Sequence, residues 1–172
     1  MLEKGATMPN RVTRSLKFEE VSGRDLWWRN MQGAATDFTP AGTRSFSIAI
    51  DDELAEQLEE EGWTCISHKP RDKNDPDSPL LSRFKIKMNF NTANPPKIYI
   101  ASSDGKRRTQ VDEQYLDDQN IDRRGIEWCD IAVNPYNRTV NGKDWCSAYL
   151  SEITIKLQEG AFDYKYAEDV PF

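Results

Sequence analysis

The stretch Ser82-Arg-Phe-Lys-Ile-Lys-Met-Asn-Phe90 alternates apolar and polar side chains along its whole length. Such a period of two is typical of a strand with one buried side, because successive side chains of an extended chain point in opposite directions. The side expected to face inward carries Phe84, Ile86, Met88 and Phe90. The side expected to face outward carries Arg83, Lys85, Lys87 and Asn89. The stretch therefore predicts a half-buried β-strand with a row of positive charge on its outer side.

Similar stretches flank this one, and the sequence predicts six or seven strands in all. The candidate strands are residues 11–18, 43–50, 63–69, 82–90, 97–101, 126–133 and 147–157. Residues 19–42 are expected to be mostly loop, with one brief strand or helical turn. Asn141-Gly142 predicts a tight hairpin between the last two strands. Short strands separated by Gly, Pro and Asn favour a mainly β fold, an antiparallel barrel that is closed or partly closed.

One clear helix is predicted immediately after the strand that ends at Ile50. Asp51 or Asp52 supplies its N-cap, and Gly62 ends it, because glycine readily takes the positive φ of a helix C-terminus. Its narrow apolar stripe consists of Leu54, Ala55 and Leu58. Residues 111–119 are expected to form either a short helix or an irregular connection.

The length of 172 residues suits one domain with a substantial core. Residues 1–10 are expected to be a disordered leader, residues 11–159 the folded domain, and residues 160–172 a flexible acidic tail. No apolar run approaches the roughly 18 residues of a membrane span, and the first residues lack the apolar segment of a secretory signal. The sequence thus predicts a cytoplasmic protein that does not bind membranes.

The three cysteines are Cys65, Cys129 and Cys146. An odd number of cysteines in a chain without a secretory signal favours free buried thiols over a disulfide framework. Cys65-x-x-His68 has the spacing of two zinc ligands, but Cys129 and Cys146 lie seventeen residues apart and form no second close pair. The prediction is therefore a protein with neither a metal site nor a cofactor.

The net charge of -6 is unevenly distributed along the chain. Residues 51–61 contain seven acids and no base, and residues 159–172 carry a net charge of -3, which leaves +4 on the remainder. The acidic total therefore describes one helix and the tail, whereas the predicted barrel is mildly basic. Net charge alone would misleadingly argue against binding to nucleic acid.

Basic residues are interleaved with aromatic residues in the basic part of the chain. Single-stranded nucleic acid needs both, because cations neutralise its phosphates and flat rings stack on unpaired bases, at roughly 1 to 3 kcal/mol per base. The candidate DNA-binding residues are Trp27, Trp28, Arg29, Arg83, Lys85, Lys87, Lys97, Tyr99, Lys106, Arg107, Arg108, Tyr136, Arg138, Lys143 and Trp145.

Each of these residues also has an ordinary structural explanation. A row of Lys and Arg on a strand commonly solvates an outer surface or protects a sheet edge, and Trp commonly lies in a core. The adjacent pair Trp27-Trp28 fits this explanation less well. In an extended chain the two rings point in opposite directions, so that one of them is expected to be exposed.

The last five residues are Glu168, Asp169, Val170, Pro171 and Phe172. This ending resembles the C-terminal tip of bacterial single-stranded DNA-binding proteins, which docks replication and repair partners. A terminal aromatic ring and a free carboxylate fit an apolar pocket rimmed by Lys or Arg, and Pro limits the entropy lost on docking. The resemblance implies a partner-docking tail. In this sequence only about ten residues separate the tip from the last predicted strand, in place of the long Gly/Gln/Pro-rich linker of the bacterial proteins.

A second resemblance covers roughly residues 30–165. The strings that carry it are Gly42-Thr-Arg-Ser-Phe46, Asp51-Asp-Glu-Leu-Ala-Glu-Gln-Leu58 followed by Gly62-Trp63, Pro95-Pro-Lys-Ile-Tyr99, and Val140-Asn-Gly-Lys143. They resemble a bacteriophage family of OB-fold single-stranded DNA-binding proteins. The resemblance implies an OB-like barrel that coats unwound DNA during phage replication and recombination.

Two other functional classes stay open. The acid groups Asp51-Asp52-Glu53, Asp112-Glu113 and Asp117-Asp118 could hold Mg²⁺ in a nuclease, although the first also caps a helix and no common catalytic motif is present. A protein-interaction module or DNA mimic would use its acids to occupy a basic partner. The mixture of bases and rings favours instead a non-catalytic, largely sequence-independent single-stranded DNA-binding protein, either monomeric or a homo-oligomer.

Overall fold

The computed structural model describes residues 11–35 and 41–159. Within them lie the strands β1 (Leu16–Ser22), β2 (Leu26–Asn30), β3 (Arg44–Ile50), β4 (Ile66–Pro70), β5 (Leu80–Met88), β6 (Lys97–Ala101), β7 (Arg108–Val111), β8 (Ile126–Val140) and β9 (Lys143–Leu157). The α-helices are α1 (Asp52–Glu61) and α2 (Glu113–Asp118), and two short 3-10 helices cover Gly23–Asp25 and Ile121–Arg123. The fold is therefore mainly β, as predicted.

The strands form one curled sheet, a half-barrel, in which the order is β1-β8-β9-β5-β3-β2. Three strands lie off this order: β4 pairs with β5, β6 pairs with β9, and β7 pairs with β6. Most pairs are antiparallel, as predicted, but β5 and β6 each lie parallel to β9. Alternation in the sequence cannot separate the two arrangements, since both directions of pairing keep the period of two.

The strand β5 occupies the centre of this sheet. β3 pairs along one edge of β5, while β4 and then β9 pair along the other. On the inner side of β5, Phe84 is fully buried, with its ring 5.5 Å from that of Trp63 and 5.4 Å from that of Phe18. Phe84, Ile86 and Met88 are buried as predicted, whereas Phe90 lies beyond the end of β5 and is half-buried.

The helix α1 connects β3 to β4 and follows its prediction closely. The carboxylate of Asp51 accepts a hydrogen bond from the Leu54 backbone N–H at 2.7 Å, and Gly62 ends the helix with a φ of 125°. Ala55 and Leu58 are buried, which leaves the acidic residues on the outer side of the helix. The predicted apolar stripe is thus the side that packs.

The N-terminal part of the domain differs from the prediction. β1 begins at Leu16 rather than at residue 11 and continues to Ser22, whereas β2 is a brief strand of the kind expected within residues 19–42. Val12 and Leu16 are nevertheless buried and Phe18 is half-buried, so the predicted inward side is correct. Pairing to β8 extends β1 past its alternating segment, because backbone hydrogen bonds can continue where the side-chain pattern is irregular.

The C-terminal hairpin is longer than predicted. β8 and β9 have 15 residues each and meet at Asn141 and Gly142, whose φ values of 54° and 77° fit the predicted tight turn. The stretch 111–119 contains the short helix α2, which Asp112 caps. The predicted leader, residues 1–10, and the predicted tail, residues 160–172, lie outside the described residues.

Candidate nucleic-acid interface

The outer side of the central strands combines long cationic side chains with very small neighbours. In the register of β3 and β5, Lys85 lies opposite Ser47 and Lys87 lies opposite Ser45. Arg83 lies opposite Ala49 on β3 and opposite Ser67 on β4. Small residues beside long ones leave concave space above the sheet, and the cations line it.

A groove of about 440 Å³ lies at the end of this surface nearest β2 and β4. We call it the Trp28 groove; its lining includes Trp28, Asn30, Ser45, Thr64, Lys69 and Lys85. The Trp28 side chain is 53% exposed, and the ammonium of Lys69 lies 5.9 Å from the centre of its ring. The groove therefore offers an open aromatic ring with two ammonium groups beside it.

Trp27 and Trp28 do not point in opposite directions, as an extended chain would require. Trp28 has a φ of 50°, and the pairing of β2 with β3 shifts register between Trp27 and Asn30. Both rings consequently contact one guanidinium, that of Arg83, at 4.3 Å and 4.5 Å from the ring centres. The prediction that one ring is exposed is confirmed for Trp28, and the predicted opposite orientation is wrong because of this bulge.

Arg83 is on the predicted outer side of β5 but is not exposed. Only 2% of the residue is accessible to solvent, because Trp27 and Trp28 cover it. Burial lowers the pKa of Arg83, and the nearby Arg71 lowers it further. The outward cationic row is therefore exposed at Lys85, half-buried at Lys87 and covered at Arg83.

A second groove, of about 620 Å³, lies over β5, β8 and β9. We call it the Tyr136 groove; its lining includes Lys87, Asn89, Lys97, Tyr136, Arg138 and Tyr149. Tyr136 is 50% exposed, its ring centre lies 5.6 Å from that of Tyr149, and the Lys87 ammonium lies 5.9 Å from the Tyr149 ring. Burial lowers the pKa of Lys87, and so do Lys85 and Arg138, which shows a concentration of positive charge.

The Tyr136 groove continues onto the projecting end of the β8–β9 hairpin. Arg138 pairs directly with Trp145 across the two strands, and the Lys143 ammonium lies 4.4 Å from the centre of the Trp145 ring. Tyr136 and Arg138 are two residues apart on β8 and therefore share a side of the hairpin. The structure thus brings Tyr136, Arg138, Lys143 and Trp145 together, as predicted.

Tyr99 and Arg108 lie on the neighbouring strands β6 and β7. The guanidinium of Arg108 covers the Tyr99 ring at 3.8 Å, and it also donates to Glu152 at 2.9 Å and to Thr154 at 3.0 Å. One side of the Tyr99 ring and part of the Arg108 charge are therefore already engaged. Lys97, on the same strand as Tyr99, lines the Tyr136 groove.

Nine of the fifteen predicted residues line neither groove, and Arg29, Lys106 and Arg107 are among them. Arg29 is half-buried and donates to the backbone carbonyl of Arg124 at 3.0 Å and to that of Ile121 at 3.5 Å, so it ties β2 to the segment after α2. Lys106 and Arg107 are exposed in the turn between β6 and β7 and line neither groove. Their role in DNA binding stays a prediction.

The two grooves are neighbours on the outer side of the sheet, and we call the two together the path. Lys85 lines the Trp28 groove and Lys87 lines the Tyr136 groove, and the two are on the same side of β5. The path crosses β2, β3, β5, β9 and β8, which at about 4.8 Å between strands gives an arc of about 19 Å. Cations and exposed rings occur at both of its ends.

Sequence reasoning missed Lys69 and Tyr149, which both belong to this path. Tyr149 lies between Ser147 and Ser151 on the outward side of β9, and only the register with β5 places it beside Lys87. Its alternation with buried Cys146, Ala148 and Leu150 does mark it as outward-facing. Lys69 could have been found from its position on β4, two residues after Ser67, had the pairing with β5 been known.

The residues considered for metal binding have other contacts. The His68 ring nitrogens lie 2.9 Å from Ser82 Oγ and 2.9 Å from the Glu59 carboxylate, Asp112 caps α2, and Asp117 pairs with Arg44 at 3.0 Å. Cys65, Cys129 and Cys146 are free. Burial raises the pKa of Cys65 and of Cys129 to about 12. In residues 11–35 and 41–159 no three His, Cys, Asp or Glu side chains cluster closely enough to hold a metal ion.

Comparison with known proteins identifies the class to which this geometry belongs. Residues 8–172 match the model of a protein family described as "Putative phage ssDNA-binding domain". The chain belongs to this family. The resemblance to phage single-stranded DNA-binding proteins is therefore confirmed, and with it the prediction of ssDNA binding.

Solved structures support the phage ssDNA-binding fold. The single-stranded DNA-binding protein from bacteriophage Enc34, truncated at its C-terminus, is 9% identical, with a TM-score of 0.50 over 85% of this chain and 87% of that chain. The same phage protein in complex with ssDNA gives 9% identity and a TM-score of 0.51 over 86% and 89%. These similarities confirm the OB-like fold. A search of curated proteins gives no significant match.

None of the residues of α1 lines the path across the sheet, so the acidic helix leaves the path free. Among the residues that the structure describes, no helix is long and apolar enough to cross a membrane.

Proposed function

We propose that this chain coats single-stranded DNA without catalysis, and that the DNA lies along the path formed by the Trp28 and Tyr136 grooves. The observation that carries the proposal is the alternation along one surface of exposed rings, Trp28 and Tyr136, with ammonium groups, Lys85 and Lys87. The ammonium groups neutralise phosphates, and the rings stack on bases. Both interactions are largely independent of base sequence.

The same surface favours a single strand over a duplex. A ring can stack only on the flat side of a base, and in a duplex both sides are covered by the neighbouring base pairs. Duplex DNA could use the cations alone, and would therefore bind more weakly and with a steeper relative dependence on salt. We expect Tyr99, Trp145, Lys97 and Lys143 to extend the path at its β6 and hairpin ends.

Several contacts support a function that involves no catalysis. The acids that a nuclease would use for Mg²⁺ have structural partners: Asp51 caps α1, Asp52 accepts from Ser82 at 2.9 Å, and Asp112 caps α2. These carboxylates lie at the N-terminal ends of α1 and α2 rather than along the path. The alternative of a DNA mimic has less support. The ammonium groups on this surface would repel a basic partner, and the exposed rings carry no charge that could attract one.

In this proposal the protein acts in phage DNA replication and recombination, in the cytoplasm of the host cell. It recruits partner proteins through the tip Glu168-Asp169-Val170-Pro171-Phe172, which lies outside the described residues. A homo-oligomer would join several such paths on one DNA strand. What supports these roles is the family to which the chain belongs and the resemblance of the tip to a docking peptide.

The experiment that tests the proposal is a titration of intrinsic Trp fluorescence with a dT oligomer of about 20 nucleotides, longer than the 4 to 16 that one OB fold covers. We expect strong quenching that weakens as the salt concentration rises from about 50 to 300 mM. Added duplex DNA should displace the dT oligomer poorly. If duplex DNA displaces the oligomer as well as single-stranded DNA does, the result argues against stacked bases. If the protein neither quenches nor binds at low salt, the proposal fails, and a nuclease assay with Mg²⁺ becomes the next measurement.

Deleting residues 160–172 should tighten binding to ssDNA at low salt. The segment carries a net negative charge and can compete with DNA for the basic path. The affinity of the shortened protein for a dT oligomer is compared with that of the full chain at low and high salt, and the difference should vanish at high salt. A control that removes only Val170, Pro171 and Phe172 keeps the acids and should leave the affinity unchanged. Equal affinity of the full and shortened chains at low salt would contradict competition by the tail.

A further inference from the structure

Arg83 is a buried cation, and two of the three nitrogen atoms of its guanidinium make no hydrogen bond. The residue is 2% exposed, and its Nε and Nη1 atoms are both buried without a hydrogen-bond partner. Leaving such donors unpaired is unfavourable, and for a charged group it is more so. A buried guanidinium in this state needs an acceptor that residues 11–35 and 41–159 do not supply.

The surroundings of Arg83 are positive rather than negative. Its two ring contacts, Trp27 and Trp28, bring no formal charge, and the ion pairs among residues 11–35 and 41–159 do not include Arg83. Lys85 follows two residues later on the same side of β5, and Arg71 is close enough to lower the pKa of Arg83. The missing acceptor is therefore an anion.

Trp28 is placed to uncover the guanidinium. Its φ of 50° is unfavourable for a bulky side chain, and its ring is 53% exposed while the opposite side of the ring covers Arg83. It belongs to β2, which lies at the end of the sheet order and pairs with β3 alone in the part of the chain that the structure describes. Trp28 can thus move without breaking a second set of strand hydrogen bonds.

From these contacts we propose that Arg83 is a phosphodiester-binding site that Trp28 covers in the free protein. When ssDNA binds, the Trp28 ring leaves the guanidinium and stacks on a base, and the guanidinium donates to the oxygens of an adjacent phosphate. The planar fork of Arg suits two parallel hydrogen bonds to such a group. The inference rests on the proposed function, since it assigns one contact within the same path.

A purely structural Arg83, which only supports the two rings, would behave differently. It would leave Nε and Nη1 unpaired both with and without DNA, and its removal would disturb the rings without changing the number of phosphates neutralised. The salt dependence therefore separates the two roles: removing a phosphate-binding Arg83 makes the salt slope of DNA binding shallower, whereas removing a purely structural Arg83 leaves that slope unchanged. A thermal melt of the free protein checks that each variant folds.

The test compares Arg83→Met and Arg83→Gln with the wild type, and uses Lys85→Gln as the matched control for an exposed cation. Binding to a labelled dT oligomer is measured by anisotropy at several salt concentrations, and unfolding by a thermal melt. For each of the three variants we expect the slope of log affinity against log salt to become shallower by about 0.7, the value for one phosphate on a single strand. We also expect about tenfold weaker binding by the Arg83 variants at low salt, since a charge-assisted hydrogen bond is lost.

The proposal is overturned if the Arg83 variants keep the wild-type salt slope while Lys85→Gln lowers it. A second measurement needs no substitution: in the ¹⁵N-labelled wild type, the Nε–H resonance of Arg83 is followed by NMR while the dT oligomer is added. A shift on binding supports the phosphate contact, and an unchanged resonance contradicts it. If the wild type does not bind dT at all, the proposed function fails; if it binds with the expected slope, only the role of Arg83 is at issue.

Discussion

Reversing the charges of Lys85 and Lys87 together, in the variant Lys85→Glu/Lys87→Glu, should reduce affinity for ssDNA by roughly 100-fold or more at low salt. Each lysine lines one of the two grooves, and both lie on the outer side of the central strand. Losing two charge-assisted contacts costs about 3 kcal/mol or more, before the added repulsion of two carboxylates is counted. The salt slope should become shallower by about 1.4, for two phosphates on a single strand.

The fold should survive this double substitution. Lys85 is exposed, and Arg138, whose charge helps to lower the pKa of Lys87, would attract a glutamate at that position. A matched control is Arg24→Glu/Arg123→Glu, which changes the net charge equally at two exposed cations that line neither groove. Anisotropy with a dT oligomer measures both variants. Equal loss of affinity in the two would mean that total charge, and not this path, binds the DNA.

The sequence predicts the elements of the fold that local patterns encode. The alternation in residues 82–90, the cap at Asp51 and the turn at Asn141-Gly142 each depend on a few adjacent residues, and each is confirmed. The parallel pairing of β5 and β6 with β9 depends on contacts more than fifty residues apart along the chain. No local pattern carries this information, because strand direction leaves the side-chain period unchanged.

The candidate site also has features that local sequence patterns predict and features that depend on distant contacts. The outer side of β5 could be predicted, and so could the grouping of Tyr136, Arg138, Lys143 and Trp145, since a hairpin turn fixes the register on both of its strands. The burial of Arg83 under the two Trp rings could not be predicted, because it depends on a bulge at Trp28. Tyr149 was missed for a related reason: its neighbours in space come from β5 and β8.

Replacing both tyrosines of the Tyr136 groove, in Tyr136→Ala/Tyr149→Ala, should weaken ssDNA binding by about 30-fold or more, because base stacking contributes roughly 1 to 3 kcal/mol per base. Tyr136 is half exposed, and its ring is tilted by 49° to that of Tyr149 at 5.6 Å. In this arrangement the Tyr149 ring packs against the Tyr136 ring, while the Lys87 ammonium lies 5.9 Å from the centre of the Tyr149 ring. The single variants should therefore not be additive, and a double-mutant cycle measures the coupling.

The matched control for this pair is Tyr136→Phe/Tyr149→Phe, which keeps both rings and removes both hydroxyl groups. If stacking is the interaction, the Phe variant binds a dT oligomer nearly as well as the wild type, and the salt slope of the Ala variant stays unchanged because no cation has been removed. Equal weakening of the Phe and Ala variants would show that the hydroxyl groups bind the DNA instead. An Ala variant whose slope falls together with its affinity would show that the two rings act by holding Lys87 and Arg138 in place, and the Tyr136 groove would then be an electrostatic site alone.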